Sequence, residues 1–352
     1  MLKPRDPVAA LEAYRSPLAT RAGLNLDLNE NTGGCSDRVL ARLRSLTARD
    51  VSMYPDREAG ERLLAEFLGV PAGKILLTNG IDDGLLLLTA AYLGEGDEML
   101  LADPTFVMYP IYGNATGAQV VRVPSGSNLE FPTVDVLACI SSRTRLIAIA
   151  NPNNPTGGIA SRQELLGILD AVPDAAVLID EAYFEFGGET LLPELPNYPN
   201  LFIARTFSKA YGLAGLRLGV LIAAPDQMGY LRRFCSPFNV NAVALACLPD
   251  ALADREFVRH CVAQVQEGRV RLTSLCDELD LRAWPSYTNF VLVRIGARHR
   301  PFVDGMSQRG ISVRDVSGNP GCAGCVRITI GTGPQMDEVL AAIRSTIREI
   351  RR

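Results

Sequence analysis

Lysine is nearly missing from this chain: three of 352 residues, Lys3, Lys74 and Lys209, against 32 arginines. Histidine is scarcer still, with only His260 and His299. Two histidines give little material for a histidine-rich metal site or a Ser-His-Asp triad. No apolar run reaches the length needed to span a bilayer, and Met1 to Pro17 is polar and proline-broken, without the apolar core of a signal peptide. No block of basic residues exists, and a formal net charge of −4 argues against a nucleic-acid surface. A cytoplasmic protein that engages neither membrane nor nucleic acid is expected. The eight cysteines are scattered and expected to be buried free thiols. Cys322-Ala-Gly-Cys325 is a single CxxC with no second pair at zinc-ribbon spacing, so no metal is expected there.

What is present is an ordinary soluble composition, 47% hydrophobic and 21% charged, long enough for a large unit with a smaller companion. From Pro55 to Ala224 apolar runs of strand length alternate with helical patterns. The strands are expected at Ile75–Thr78, Glu98–Ala102, Gln119–Val123, Leu146–Ala150, Ala176–Ile179, Leu201–Ala204 and Leu218–Ile222. Such continuous apolar strands with helical crossovers indicate an α/β fold, a mostly parallel sheet covered by helices on both faces. After Pro237 a long helical region, Val240 to Leu279, is broken only near Pro249. Short strands and a last helix, Pro334–Arg351, follow, the pattern of a smaller α+β unit. Residues 51–238 are therefore read as the large domain and 239–352 as the small one, with 1–50 joining the small domain.

In parallel sheets ligands collect beyond the carboxyl ends of the strands. Strand Ile75–Thr78 runs into Asn79-Gly-Ile-Asp-Asp83 and a helix, whose free N–H groups and positive dipole end suit a phosphate, although many turns look the same. Strand Leu146–Ala150 ends in Asn151-Pro-Asn-Asn-Pro-Thr-Gly157. Two prolines and a glycine stiffen this turn and hold Asn154 over the sheet edge, though ordinary turns use the same residues. Strand Ala176–Ile179 ends in Asp180-Glu-Ala-Tyr183. An acid there is costly to bury unless it meets a cation or a donor, with a helix cap as the competing role.

Strand Leu201–Ala204 leads into Thr206-Phe-Ser-Lys-Ala-Tyr-Gly-Leu-Ala-Gly-Leu-Arg217. Arginine stays protonated in proteins, whereas a lysine amine can become a nucleophile or a base. Lys3 is terminal and Lys74 lies in a Pro-Ala-Gly-Lys turn, so Lys209 alone sits among anion-gripping groups, Thr206, Ser208 and Arg217. A solvated surface lysine is the bland alternative. Together the strand ends offer a phosphate cradle, a carboxylate for a cationic ring nitrogen, donors for a phenolic oxygen, and a reactive amine. Pyridoxal 5'-phosphate needs each of these.

With Asn-Pro-Asn-Asn-Pro-Thr-Gly (151–157), Asp-Glu-Ala-Tyr (180–183) and Ser-Lys-x7-Arg (208–217) in this order, the chain resembles the fold-type I pyridoxal-phosphate aminotransferases over nearly its whole length, most of all the histidinol-phosphate aminotransferases. The resemblance implies Lys209, Asp180 and Tyr183 as catalytic residues. Lys209 would bond to the cofactor and shuttle the proton, Asp180 would pair with the ring nitrogen, and Asn154 and Tyr183 would bind the ring oxygen. Gly80, the backbone at Ile81 and Asp82, Thr206, Ser208 and Arg217 would hold the phosphate. Phe106, in Asp103-Pro-Thr-Phe-Val-Met-Tyr109, would stack on the ring where the family often has tyrosine. Tyr54 resembles the tyrosine that reaches the phosphate of the neighbouring subunit, which implies a homodimer with shared active sites.

Substrate contacts are expected from the smaller unit and the N-terminal segment. Arg314 and Arg327, thirteen residues apart, fall on neighbouring short strands, and arginine grips carboxylates and phosphates bidentately. The resemblance gives Arg327 to the α-carboxylate of the amino donor and Arg314 to the distal phosphate of histidinol phosphate, a surface ion pair being the alternative for each. Tyr14, Asn29 and Asn154 are the further substrate residues that the resemblance implies. The stretch Asn29-Glu-Asn-Thr-Gly-Gly-Cys-Ser36 departs from the family, in which a proline-containing turn commonly follows Asn-Glu-Asn. The implied activity moves an amino group between L-histidinol phosphate and the 2-oxo acid 2-oxoglutarate, in histidine biosynthesis. An aromatic amino-acid aminotransferase or a phospho-amino-acid decarboxylase on the same scaffold is the alternative.

Overall fold

Apolar runs between Ile75 and Ala223 assemble into one seven-stranded sheet in the computed structural model, which describes residues 2–14 and 22–351. Part of the polar start, residues 15–21, lies outside the described residues. A short strand β1 (Leu24–Leu26) comes first. The large sheet then takes β2 (Ile75–Thr78), β3 (Glu98–Asp103), β4 (Gln119–Pro124), β5 (Thr144–Ala150), β6 (Ala176–Asp180), β7 (Leu201–Thr206) and β8 (Gly219–Ala223). Their spatial order is β2-β8-β7-β6-β5-β3-β4, with only β8 antiparallel to its neighbours.

Successive side chains on a strand point to opposite faces, so an apolar strand must be covered twice. Leu77, Ile147, Val177, Ile203 and Val220 join one core, with the helices Arg57–Leu68, Arg162–Ala171 and Ala242–Ala253. Leu76, Leu146, Leu178, Phe202 and Leu221 join the other, with Gly80–Tyr92, Met108–Thr116 and Pro225–Arg232. The doubly covered α/β sheet expected from the sequence is present.

The second sheet adds β9 (Arg282–Ala283), β10 (Phe290–Arg294), β11 (Ile311–Asp315) and β12 (Cys325–Thr329) to β1, in the order β1-β11-β12-β10-β9. Helices Arg255–Glu278, His299–Gln308 and Gly333–Arg351 bury its apolar face. Several details differ from what the sequence suggests. The long helical region breaks at Asp254, whose carboxylate caps the next helix by accepting from the Phe257 N–H, while Pro249 stays inside helix Ala242–Ala253. That helix places Ala244, Cys247 and Leu248 in the large-sheet core, beyond the expected boundary at 238. The first fifty residues divide similarly: β1 pairs with β11, but Val39 packs into the large core. All eight cysteines are free, and Cys139 is exposed rather than buried.

Candidate active site

Because β8 runs antiparallel to both β7 and β2, the carboxyl ends of β2, β3, β5, β6 and β7 gather on one edge. The turn into β8 brings Arg217 back to that edge. A cavity of about 730 Å³ opens there and faces the small sheet. Its walls include Lys209, Asp180, Tyr183, Asn154, Thr206, Ser208, Arg217, Ile81, Asp82 and Phe106 from the large unit. Tyr14, Asn29, Arg314 and Arg327 close the opposite side. Residues scattered over 300 positions thus meet in one place because all of them except Tyr14 follow a strand end or lie on a small-sheet strand.

The large-sheet side is tightly organised. Lys209 Nζ donates to the Leu28 carbonyl at 3.1 Å. Burial, helped by the charge of Arg327, pulls its pKa down to about 8. Asp180 accepts from the Tyr109 hydroxyl at 2.6 Å and from the Ala182 N–H at 3.0 Å. Burial pushes Asp180 up to about 6 against the pull of these two donors. Tyr183, also raised by burial, is held at its hydroxyl by the side-chain amide of Asn29, which donates at 2.8 Å. Asn29 is itself locked, accepting from Thr329 Oγ1 at 3.1 Å while its backbone has φ of 56°.

The expected phosphate end has a bare backbone. Helix Gly80–Tyr92 receives no side-chain cap from Asn79, so its first N–H groups remain available. Gly80 stands just behind the lining with φ of +77°, and a Cβ there would lie 2.5 Å from Arg217 Nη2. Gly219 is equally constrained, since its Cβ would lie 2.6 Å from the Gly80 carbonyl carbon. Arg217 pairs with the Asp82 carboxylate at 3.2 Å.

On the small-sheet side Arg327 and Arg314 are direct partners across the β11–β12 ladder. Arg327 donates to Asn154 Oδ1 at 2.6 Å and to the Asp27 carbonyl, yet its Nε is buried without a hydrogen-bond partner. Burial brings its pKa down to about 10. Arg314 is half-buried and reaches the Tyr14 hydroxyl at 3.3 Å. Tyr54 is the exception among the expected site residues. It is 79% exposed, outside its own cavity, and stacks on Phe238 with ring centroids 4.1 Å apart.

An amine of lowered pKa facing a buried acid and two arginines is an arrangement for carbonyl and amine chemistry on an anionic substrate. The sequence pattern of the aminotransferase class I and II family matches residues 21–343. The chain belongs to the class I and II aminotransferases. Its fold is that of the fold-type I members. Histidinol-phosphate aminotransferase 1 of Bacillus cereus is 35% identical over 333 residues, covering 93% of this chain and 89% of the relative. Histidinol-phosphate aminotransferase 2 of Pseudomonas fluorescens is 37% identical over 352 residues, covering 98% and 94%. The crystal structure of the Sinorhizobium meliloti histidinol-phosphate aminotransferase, in complex with pyridoxal-5'-phosphate, aligns at a TM-score of 0.91 with 26% identity, covering 99% of both chains.

Two features of this aminotransferase escape the sequence reading. Tyr109, on Asp180, looks like one more core aromatic; its signal is a hydroxyl in the otherwise apolar first turn of a helix. The second is the Gly33-Gly34 turn. A Cβ on Gly212 (φ +69°) would lie 2.1 Å from the Gly34 carbonyl oxygen, so the unusual entrance loop packs directly on the segment that carries Lys209. Asn31 and Thr32 pin the loop's other side, on Cys261 and Gln335.

Proposed function

We propose that this aminotransferase moves the amino group of L-histidinol phosphate to 2-oxoglutarate in histidine biosynthesis, using pyridoxal phosphate. The arginine pair carries the substrate assignment. Arg314 and Arg327 stand opposite one another and line the cavity that holds Lys209. Like charges directly across a ladder repel, and the repulsion is relieved by an anion between them. Histidinol phosphate has a phosphate and no carboxylate, whereas glutamate and 2-oxoglutarate bring carboxylates. Arg327 therefore meets a carboxylate in one half-reaction and shares a phosphate with Arg314 in the other. An aromatic amino acid leaves Arg314 without an anion. The likeness to histidinol-phosphate aminotransferases of other organisms supports the same choice.

The residues present fit pyridoxal phosphate. The cavity volume lies in the range of cofactor pockets. At one end Gly80, the uncapped N–H groups of Ile81 and Asp82, Thr206, Ser208 and Arg217 suit the phosphate. At the other, Asp180 suits a protonated ring nitrogen, and Asn154 and Tyr183 a phenolic oxygen. When bound, pyridoxal phosphate supplies an aldehyde that condenses with amines and a ring that accepts the electron pair left by a departing Cα proton.

The protein's share of the chemistry is protonation and placement. Lys209 Nζ would hold the cofactor covalently and would serve as the base that moves the donor's Cα proton. With its pKa near 8, its neutral fraction at neutral pH is far larger than that of an ordinary lysine. Asp180 is ionised above about 6 and Lys209 is mostly neutral only above about 8, so the two groups reach their working forms in turn as pH rises. Asn29 fixes the Tyr183 hydroxyl and Arg327 fixes Asn154, which orients both for the ring oxygen. Phe106 lies over the same space, its ring edge-on to Tyr109 at 5.6 Å.

In this reading the enzyme is a cytoplasmic homodimer. The exposed stack of Tyr54 on Phe238 suits burial by a second copy whose cofactor phosphate Tyr54 reaches. Among the described residues, no helix is long and apolar enough to cross a membrane.

An amino-donor screen on the cofactor-loaded enzyme, following the cofactor's absorbance as the amino group is transferred, tests the substrate. Histidinol phosphate is expected to give the highest kcat/KM. A strong preference for phenylalanine or tyrosine would overturn the assignment, and CO₂ release without glutamate formation would mark a decarboxylase.

A further inference from the structure

We infer that Tyr109 is a positioning residue that holds Asp180 as an oriented carboxylate for the cofactor's ring nitrogen. The inference rests on the cofactor reading above and adds to it a residue with no expected role.

The geometry is specific. Tyr109 lies in the first turn of helix Met108–Thr116 and is 1% exposed. Its hydroxyl donates to Asp180 Oδ2 at 2.6 Å, while the Ala182 N–H donates to Oδ1 at 3.0 Å. One donor on each oxygen fixes the plane of the carboxyl group and leaves each oxygen a free lone pair. Both donors are neutral, so they hold the carboxylate without competing, as a cation would, for the role of the ring nitrogen. The strands on either side offer no polar help, since Asp180 is flanked in the ladder by Ala150 and Ala204.

The charges around Asp180 make such help necessary. Asp82 from helix Gly80–Tyr92 and the adjacent Glu181 both disfavour a second negative charge. Tyr183 follows in the same segment, and Lys209, Arg217 and Arg327 line the cavity beyond. Burial raises the acid more than either charge does. Remove the Tyr109 hydroxyl and the neutral carboxylic acid gains ground. A carboxylic acid cannot keep a pyridine nitrogen protonated, and it must compete to donate the one proton it has.

The phenol also has a packing role, its ring meeting Phe106 edge-on. Tyr109→Phe keeps that ring and deletes only the hydroxyl. The probe is pyridoxamine phosphate, which has the same ring nitrogen and phosphate but no aldehyde, so Lys209 forms no bond to it. Its dissociation constant is measured on the full chain across the acid-to-neutral range for wild type, Tyr109→Phe, Asp180→Asn and the double variant. The titration of the probe's own phosphate is common to all four.

In wild type, binding weakens as pH falls through the range where Asp180 takes up its proton. In Tyr109→Phe that midpoint should move up by about one to two pH units, the worth of one hydrogen bond to a charged acceptor. In the Asp180→Asn background the same substitution should leave the pH dependence unchanged. Three results would each overturn the inference and leave Tyr109 a packing residue: an unmoved midpoint, an equal loss of affinity at every pH, or a shift that persists in the Asp180→Asn background. Should Tyr109→Phe fail to fold, 3-fluorotyrosine placed at position 109 is a stronger donor of nearly the same size. It should move the midpoint down, and no movement would overturn the inference. Failure of every form, wild type included, to bind the probe would refute the cofactor reading itself.

Discussion

On the large-sheet rim of the cavity Asp180, Thr206 and Ser208 are buried and sit at or just beyond strand ends, whereas on the small-sheet rim Arg314 and Tyr14 are partly exposed and meet mainly each other. The backbone of the first rim is the end of a parallel sheet packed on both faces. Desolvation moves the pKa values of its groups from their ordinary range: Lys209 down to about 8, Asp180 up to about 6. Arg314 stands closer to water and relies on its cross-strand neighbour for company. In the proposed reading the chemistry rests on buried groups, and Arg327 is buried with them, whereas the part of substrate choice given to Arg314 rests on a half-buried side chain. The first depends on burial that the fold must support, the second on side chains that can change without disturbing the sheet.

The difference breaks most visibly at Lys209. Lys209→Ala should lower kcat by more than about 10⁴-fold, since a single acid–base group alone is typically worth about 10²–10⁴ and in the proposed reading this one also holds the cofactor. The same variant should lose the borohydride-reducible attachment of pyridoxal phosphate. Turnover near the wild-type rate would mean that the large-sheet rim does not carry the chemistry.

A second test addresses what that rim costs the fold. Asp180 has a folded pKa of about 6 against an ordinary value of 3.8. A carboxyl whose pKa is raised contributes its stability at low pH and loses it as pH rises through the folded value. At about pH 8 the apoprotein therefore carries a penalty on the order of 3 kcal/mol from this residue. Asp180→Asn should be more stable than wild type by up to that amount at the same pH in denaturant unfolding without cofactor. The two curves should converge below about pH 4, where the wild-type carboxyl is protonated in both states. No gain at the higher pH would place the strain elsewhere and remove half of the contrast between the rims.

The legibility of the sequence follows the same division. Strand ends are local, so Asn154, Asp180, Thr206 and Lys209 can be picked out from an apolar run followed by an unusual polar residue, and β2 and helix Arg162–Ala171 fall where the pattern puts them. Contacts between distant segments have no local signature. Nothing near Asn29 in the chain says that its amide meets Tyr183, 154 residues away. The Gly33-Gly34 turn reads as a defect in a motif until Gly212 is seen pressed against it. Tyr109 hides for another reason: a buried tyrosine is ordinary, and only its partner makes this one informative. Pro249 misleads because it signals a break, while the Asp254 cap and the packing of Cys247 and Leu248 decide where the helices divide.

The smallest expected effect is the most discriminating for the second rim. Arg314→Gln removes a partly exposed charge, so the loss should be modest, about 10- to 30-fold in kcat/KM for histidinol phosphate. Phenylalanine, which brings a carboxylate for Arg327 but no phosphate, should change by no more than about threefold. The asymmetry is what matters, because Arg314 also touches the Tyr14 hydroxyl and could act as a strut for the N-terminal segment. A strut would affect every donor alike, and Tyr14→Phe would reproduce its loss. A phosphate reader affects one donor, and Tyr14→Phe leaves most of the preference in place. Equal losses for both donors would reduce Arg314 to support and leave Arg327 alone to choose the substrate, a choice that one buried arginine, bonded to Asn154 and Asp27, has little means to make.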